Sequence, residues 1–181
     1  MTLRVALSIL SLALLAGCVS SGSSDTLATR EGRAQAGQAY VQLGLGYLQQ
    51  GLTEQAKGPL KKALDLNSQD AAANAALALV YQAEDEPGLA QRHYQQALAS
   101  SPADTRIRNN YGSFLYAQGQ YTQARQMFIQ AAADTLYPER SRVFESLGLT
   151  ALRLGQRDQA QEYLVKALRP VSYTHLTLPT N

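Results

Sequence analysis

The sequence predicts an all-α protein, a solenoid of four helix–turn–helix repeats. Three columns of small residues indicate this fold, because each column recurs at spacings of 34, 34 and 36 residues. The columns are Gly44, Ala78, Gly112 and Gly148; Ala56, Ala90, Ala124 and Ala160; and Ala63, Ala97, Ala131 and Ala167. A single helix pair cannot bury its own apolar face, so the stacked repeats must share a core.

The predicted repeats span residues 37–70, 71–104, 105–140 and 141–169, and the fourth has an incomplete end. Turn-forming residues separate the two helices of each repeat. They are Gln50-Gly51, Asp85-Glu86-Pro87-Gly88, Gly119-Gln120 and Gly155-Gln156. The third repeat is two residues longer, and the excess falls in "DTLYPER" (134–140). The two extra residues are interpreted either as a tolerated loop insertion or as part of a functional loop.

The repeats resemble the tetratricopeptide repeat (TPR), a helix–turn–helix unit. The resemblance rests on Tyr40, Leu43-Gly44, Tyr47, Ala56, Leu60 and Ala63 in the first repeat, and on Tyr111-Gly112, Leu115, Ala124, Phe128 and Ala131 in the third. It implies a right-handed superhelix with a concave groove. We expect the small columns to let paired helices approach closely. Larger residues are expected to fill the space between repeats: Leu60, Tyr94, Phe128 and Leu164.

Residues 1–17 predict a secretory signal peptide. They hold one charged side chain, Arg4, before the apolar run Val5–Ala16, which only two serines interrupt. This run is too short to cross a bilayer, which takes about 20 residues as a helix. A short basic start, a short apolar core and a small-residue exit are typical of an export signal.

Cys18 is the only cysteine, and Leu15-Ala16-Gly17-Cys18 resembles the lipobox of bacterial lipoproteins. Such a cysteine is acylated and becomes the N-terminus. A buried cysteine is disfavoured by the Ser/Gly-rich segment that follows, and a catalytic one needs a base. We therefore predict a lipidated cysteine and tether over residues 18–36. By the sorting rule of such lipoproteins, Val19 implies the outer membrane.

The first helix of each TPR faces the groove, and its outward positions are candidate partner contacts. The first half offers an apolar strip of Val41, Leu45, Leu48, Ala75 and Leu79. The second half offers Asn109, Asn110 and Tyr116, together with Ser113, Arg142, Glu145, Leu149 and Arg153. Exposed apolar patches mark partner sites, although these leucines could instead pack against residues 28–38. Asn110 could bind a peptide backbone or cap a neighbouring helix.

Composition and motifs disfavour the other function classes. A net charge of +2 with 17% charged residues gives no electrostatic case for nucleic-acid binding. No phosphate-binding loop, metal-spaced Cys/His set or Gly-x-Ser-x-Gly motif occurs in the sequence. His93 has no second ligand beside it and is interpreted as structural. We expect no enzyme, metal, cofactor or small-molecule substrate.

Four stretches are similar to the PilF/PilW family of type IV pilus biogenesis lipoproteins. They are "TREGR" (29–33), "AYVQLGLGYLQQGLTEQAKGPLKKAL" (39–64), "NNYGSFLY" (109–116) and "DTLYPERSRVFESLGL" (134–149). The resemblance implies a pilotin, a periplasm-facing outer-membrane lipoprotein of six repeats. Such a protein binds secretin subunits and promotes their localisation and multimerisation. A general periplasmic TPR scaffold for envelope assembly is the alternative.

Residues 170–181 depart from that family. Pro170 cannot continue the last helix, and "VSYTHLTLPTN" (171–181) has no helical period. We interpret this tail as non-native sequence joined to a truncated gene, with a divergent C-terminus as the alternative. Truncation would expose a stacking face that a terminal repeat normally covers. We therefore expect lower stability than in a six-repeat homologue.

Overall fold

The computed structural model describes residues 26–168, a range that contains eight α-helices and no β-strand. The helices are α1 (Arg30–Gln49), α2 (Thr53–Leu66), α3 (Ala71–Ala83), α4 (Pro87–Ser100), α5 (Thr105–Ala117), α6 (Tyr121–Ala132), α7 (Arg140–Arg153) and α8 (Arg157–Leu168). They form four consecutive pairs, and the predicted helical solenoid is confirmed. The predictions for the signal peptide, Cys18 and the C-terminal tail lie outside these residues.

Of the described residues, 26–36 belong to one compact unit and 37–168 to a second. In the first unit a 3-10 turn (Thr26–Ala28) precedes α1. The Thr29 hydroxyl oxygen accepts a hydrogen bond from the Gly32 N–H at 2.9 Å, which satisfies one amide at the start of the helix. Residues 30–36, which the sequence predicts to be part of the tether, belong to this helix.

Each repeat of the second unit turns between its helices at a residue with positive φ. Gly51, Gly119 and Gly155 have φ values of 75°, 71° and 74°. In the second repeat Asp85 takes this position with φ 56°. Glycine adopts the left-handed region without a Cβ clash, and aspartate tolerates it better than most other residues. The turn geometry is thus shared by all four repeats.

Gly119→Ala should destabilise the fold by about 1–2 kcal/mol, because an L side chain is strained in the left-handed region. The matched control is Gly58→Ala, which adds the same methyl group within α2, where no atom beyond the adjoining residues and the helix's own backbone lies within 4 Å. That control should stabilise by about 0.5–1 kcal/mol. Urea unfolding followed by circular dichroism measures both variants, and equal shifts would contradict this account of the turn.

Aspartate residues cap the first helices of the second and third repeats. Asp70 Oδ1 accepts a hydrogen bond from the Ala73 N–H at 2.8 Å, and Asp104 Oδ1 accepts one from Ile107 at 3.0 Å. The fourth repeat has no such cap, because Glu139 precedes α7 and makes no side-chain capping bond. The longer loop before α7 is held instead by its own hydrogen bonds to Thr105 and Ala132.

The core forms where a large side chain of the second helix lies against the small column of the first. A Cβ atom on Gly44 would lie 2.5 Å from the Leu60 side chain, and one on Gly112 would lie 2.8 Å from the Phe128 ring. On Gly148 it would lie 2.6 Å from Leu164. These large side chains therefore also fill space inside their own repeats. The close helix packing that we predicted for the small columns is confirmed at these three glycines.

Tyr94 shows how the same column joins one repeat to the next. Its side chain is fully buried, and its ring lies 5.3 Å from Tyr111 and 5.6 Å from Phe114, both on α5 of the following repeat. Its hydroxyl donates a hydrogen bond to Gln82 Oε1 at 3.2 Å, and burial raises its pKa. Aromatic stacking of this kind adds to the apolar burial that links the repeats.

Polar contacts also cross the repeat boundaries. Lys57 Nζ on α2 lies 3.1 Å from Glu84 Oε1, just beyond α3, and 2.6 Å from Glu54 Oε1. Arg125 occupies the matching position on α6 and donates a hydrogen bond to Gln156 Oε1 at 2.7 Å, in the turn of the fourth repeat. Within residues 26–168, no helix is long and apolar enough to cross a membrane.

Candidate partner-binding surface

Two residues of the predicted apolar strip are buried. Val41 is 4% exposed and packs with Ala63 and Ala73, and Ala75 belongs to the core that spans the second to fourth repeats. The expectation that both point outward is wrong, because Val41 packs against Ala73 of the following repeat and Ala75 is enclosed by the larger core cluster. A partner could reach neither side chain without opening the core.

The leucines of the strip are only half-buried. Leu45 and Leu48 lie against the cluster formed by Ala56, Leu60 and neighbouring residues, and Leu79 lies against the larger core cluster. Each leucine therefore keeps some accessible surface while contributing to the fold. Their role in binding stays a prediction, and substitutions there would change stability together with any affinity.

The predicted polar residues of the third repeat are partly exposed. Asn109, Asn110 and Tyr116 all lie on α5. Burial raises the pKa of Tyr137. A hydrogen bond with the Asn109 side chain lowers this pKa and so partly offsets the effect of burial. Asn109 is therefore already in contact with the loop before α7, whereas the role of Asn110 stays a prediction.

The two-residue insertion packs onto α5. The Thr105 hydroxyl donates a hydrogen bond to Asp134 Oδ2 at 2.7 Å, and Asp134 Oδ1 accepts one from the Leu136 N–H at 3.0 Å. The Thr105 contact lowers the pKa of Asp134. From the other end of the loop, Arg140 Nε donates to Ala132 O at 2.8 Å. The loop therefore has defined contacts and leaves Leu136 exposed at its tip.

A small cavity of about 100 Å³ lies between α5 and α7. Its lining residues are Ser113, Tyr116, Phe128, Ser146 and Leu149. Three of these were predicted groove positions, but Ser146 and Phe128 were missed. Phe128 had been assigned only to the core column, and Ser146 lies three residues before the repeat equivalent of Ser113. The 36-residue spacing of Ser113 and Leu149 marks them as equivalent positions of neighbouring repeats, but it gives no signal for Ser146 or Phe128.

Arg153 contacts Tyr116, one of the residues that line this cavity. The Arg153 Nε–H donates a hydrogen bond to Tyr116 Oη at 3.2 Å. The Tyr116 ring in turn contacts Tyr121 edge to face, with 5.2 Å between ring centroids. The guanidinium group is thus held beside a cavity-lining residue, whose ring is itself packed against Tyr121.

His93 has structural contacts. The buried Asn74 side-chain amide donates to Asp70 O at 3.0 Å, so its Oδ1 is the acceptor facing His93 Nδ1 at 2.9 Å. The His93 ring also stacks on Tyr81 at 5.3 Å. Burial lowers the pKa of His93, and Arg92 adds to the effect. Within residues 26–168, no three Cys, His, Asp or Glu residues are grouped to hold a metal ion.

Two tetratricopeptide repeat family models match residues 37–70 and 104–169. With the paired helices, these matches define a TPR protein. The chain is similar to the type IV pilus assembly protein PilF of Pseudomonas aeruginosa, with 54% identity over 169 residues. The alignment covers 93% of this chain and 67% of that relative. The chain belongs to the PilF/PilW family of type IV pilus biogenesis TPR proteins.

Solved structures of this family have the same fold. The Pseudomonas aeruginosa PilF structure aligns with a TM-score of 0.74 and 56% identity, covering 76% of this chain and 62% of that one. The structure of PilW, described as a widely conserved type IV pilus biogenesis factor, aligns with a TM-score of 0.70 and 28% identity, covering 74% and 61%. The aligned part thus spans about three fifths of either solved chain.

Proposed function

We propose that this protein is a pilotin, an outer-membrane lipoprotein that binds the type IV pilus secretin and promotes its localisation and multimerisation. The first helices of its repeats supply the binding surface, and Cys18 carries the lipid anchor. The lipid anchor at one end of the chain directs the protein to the outer membrane, and the repeats bind the secretin. No catalytic step is involved in this mechanism.

The similarity to PilF over 93% of the chain is the observation that carries this proposal. The surface chemistry adds support, because α5 and α7 present polar and apolar side chains around a cavity. Stacked TPRs create extended surfaces suited to binding another protein. These observations favour a scaffold that holds a protein partner.

Binding of the secretin by the purified protein tests the proposal. Residues 19–168, immobilised through an N-terminal tag, should retain the purified periplasmic region of the type IV pilus secretin from the same bacterium. A buried-core variant that unfolds the repeats serves as the negative control. If the secretin is not retained while other envelope proteins are, the general scaffold replaces the pilotin.

Cys18→Ser should move the protein from the membrane fraction to the soluble periplasmic fraction. The serine hydroxyl cannot form the thioether to diacylglycerol, and several acyl chains together are needed for stable anchoring. Palmitate labelling and membrane fractionation measure the effect, with Ser20→Ala as the matched control. Outer-membrane sedimentation of the Cys18→Ser variant would exclude lipidation as the anchor.

A further inference from the structure

We propose that the cavity between α5 and α7 receives one aliphatic side chain of an extended partner segment, whose acidic residue two positions away binds Arg153. This inference rests on the proposed function and specifies where and how the secretin would be recognised. It shifts the main contact from the apolar strip of the first repeats to the third and fourth repeats.

The size of the cavity selects a side chain over a free ligand. Its volume is about 100 Å³. Pockets for small molecules usually occupy about 300–1,000 Å³, and a cavity of about 150 Å³ just admits benzene. One leucine, isoleucine or valine side chain therefore matches the space.

The walls of the cavity are suited to an apolar group. Phe128 is 1% exposed and belongs to the core, and Leu149 is 44% exposed. The Ser113 hydroxyl already donates to Asn109 O at 3.0 Å, within its own helix. An aliphatic side chain entering here would cover Leu149 and remove apolar surface from water.

The positive charge of Arg153, which is hydrogen-bonded to the cavity-lining Tyr116, points to a carboxylate on the partner. Among residues 26–168, no carboxylate lies within 4.0 Å of the Arg153 guanidinium, whose Nε–H binds Tyr116 Oη. Its Nη groups remain able to bind a carboxylate in a two-point arrangement. Residues 105–168 hold 8 basic and 5 acidic side chains, so this region also attracts acidic segments.

The spacing along α7 sets the sequence of the partner segment. Leu149 and Arg153 are one helical turn apart, about 6 Å at 1.5 Å per residue. In an extended chain, residues i and i+2 are separated by about 6.6 Å and point to the same side. The fitting segment therefore has an aliphatic residue and an aspartate or glutamate separated by one residue.

Paired variants test this site on the intact chain. Leu149→Ala and Arg153→Gln should each weaken secretin binding about tenfold, as for other central interface residues. Leu152→Ala and Arg157→Gln are the controls, because Leu152 is 49% exposed on the same helix and Arg157 is an exposed arginine on α8. The controls should stay within about twofold. If wild type binds the secretin and all four variants bind equally well, the site is wrong and the pilotin proposal stands.

A peptide probe tests the site independently of the secretin. Fluorescein-labelled octapeptides of glycine and serine would carry a central Leu-Ser-Asp, Leu-Ser-Asn or Gly-Ser-Asp. Fluorescence anisotropy should show saturable binding of the first peptide, and at least about fivefold weaker binding of the others, because each lacks one anchor. Equal binding of the three peptides, or no binding at millimolar concentration, would overturn the inference.

Another occupant of the cavity gives a distinct result. Dimerisation that Leu149→Ala abolishes would assign the cavity to a second copy of the chain and overturn the inference. Unchanged circular dichroism of the variants establishes that the repeats remain folded.

Discussion

Tyr94→Ala should destabilise the protein by about 3–5 kcal/mol, the usual cost of removing a large buried aromatic side chain. Tyr94 is fully buried and contacts two rings of the following repeat. Its loss would leave a cavity at the junction between the second and third repeats. Urea unfolding followed by circular dichroism measures this change, and we expect a lower midpoint and a broader transition as the repeats uncouple.

Tyr94→Phe separates packing from hydrogen bonding. It keeps the ring and removes the hydroxyl that donates to Gln82 Oε1, and should cost only about 0.5–1.5 kcal/mol. Ile129→Ala provides a surface control, because Ile129 is exposed on α6. If Tyr94→Ala were no more destabilising than Ile129→Ala, Tyr94 would not couple the repeats.

Gly112→Val should destabilise the third repeat by about 3 kcal/mol, at the upper end of the usual cost of overpacking. A Cβ atom at Gly112 would already lie 2.8 Å from the Phe128 ring, and valine adds two further methyl groups. The Phe128 ring is enclosed by the core and has little freedom to move away. The same unfolding measurement shows the effect.

Gly46→Val is the matched control for this substitution. Gly46 also lies within a helix, but no atom beyond the adjoining residues and the helix's own backbone lies within 4 Å of a Cβ placed there. Valine and glycine differ by only about 0.5 kcal/mol in helix propensity, so this variant should remain close to wild type. Equal destabilisation by the two valines would attribute the effect to helix propensity and contradict the role of the glycine in close packing.

The repeat architecture was predictable because its constraints recur along the chain. Gly44, Gly112 and Gly148 leave room for a large side chain of the paired helix, and this need reappears in each repeat at fixed spacing. The turn glycines recur for a backbone reason, since all have positive φ. Periodic constraints of this kind are visible in one sequence without any alignment.

The candidate surface was less predictable, because it depends on how neighbouring repeats pack. Val41 and Leu45 are one helical turn apart on α1, yet stacking of the next repeat buries Val41 and leaves Leu45 half-exposed. The cavity beside Leu149 likewise depends on the separation of α5 and α7. Spacing along one helix identifies a face but does not determine how far a neighbouring helix covers it.

The insertion before α7 was visible in the sequence, but its contacts were not. The two extra residues interrupt the repeat spacing without indicating where the loop packs. In the structure, Asp134 binds Thr105 and Tyr137 contacts Asn109, so the loop covers part of α5. A side-chain hydrogen bond such as that between Thr105 and Asp134, 29 residues apart, does not recur in the other repeats within residues 26–168. The repeat spacing therefore could not predict it.

The state of the secretin in a strain that lacks this gene tests the pilotin assignment most directly. We expect secretin monomers away from the outer membrane, no heat-resistant multimers on immunoblots, and no surface pili. Reintroducing the gene should restore multimers. Normal amounts of heat-resistant secretin multimers in the outer membrane of the deletion strain would contradict the assignment.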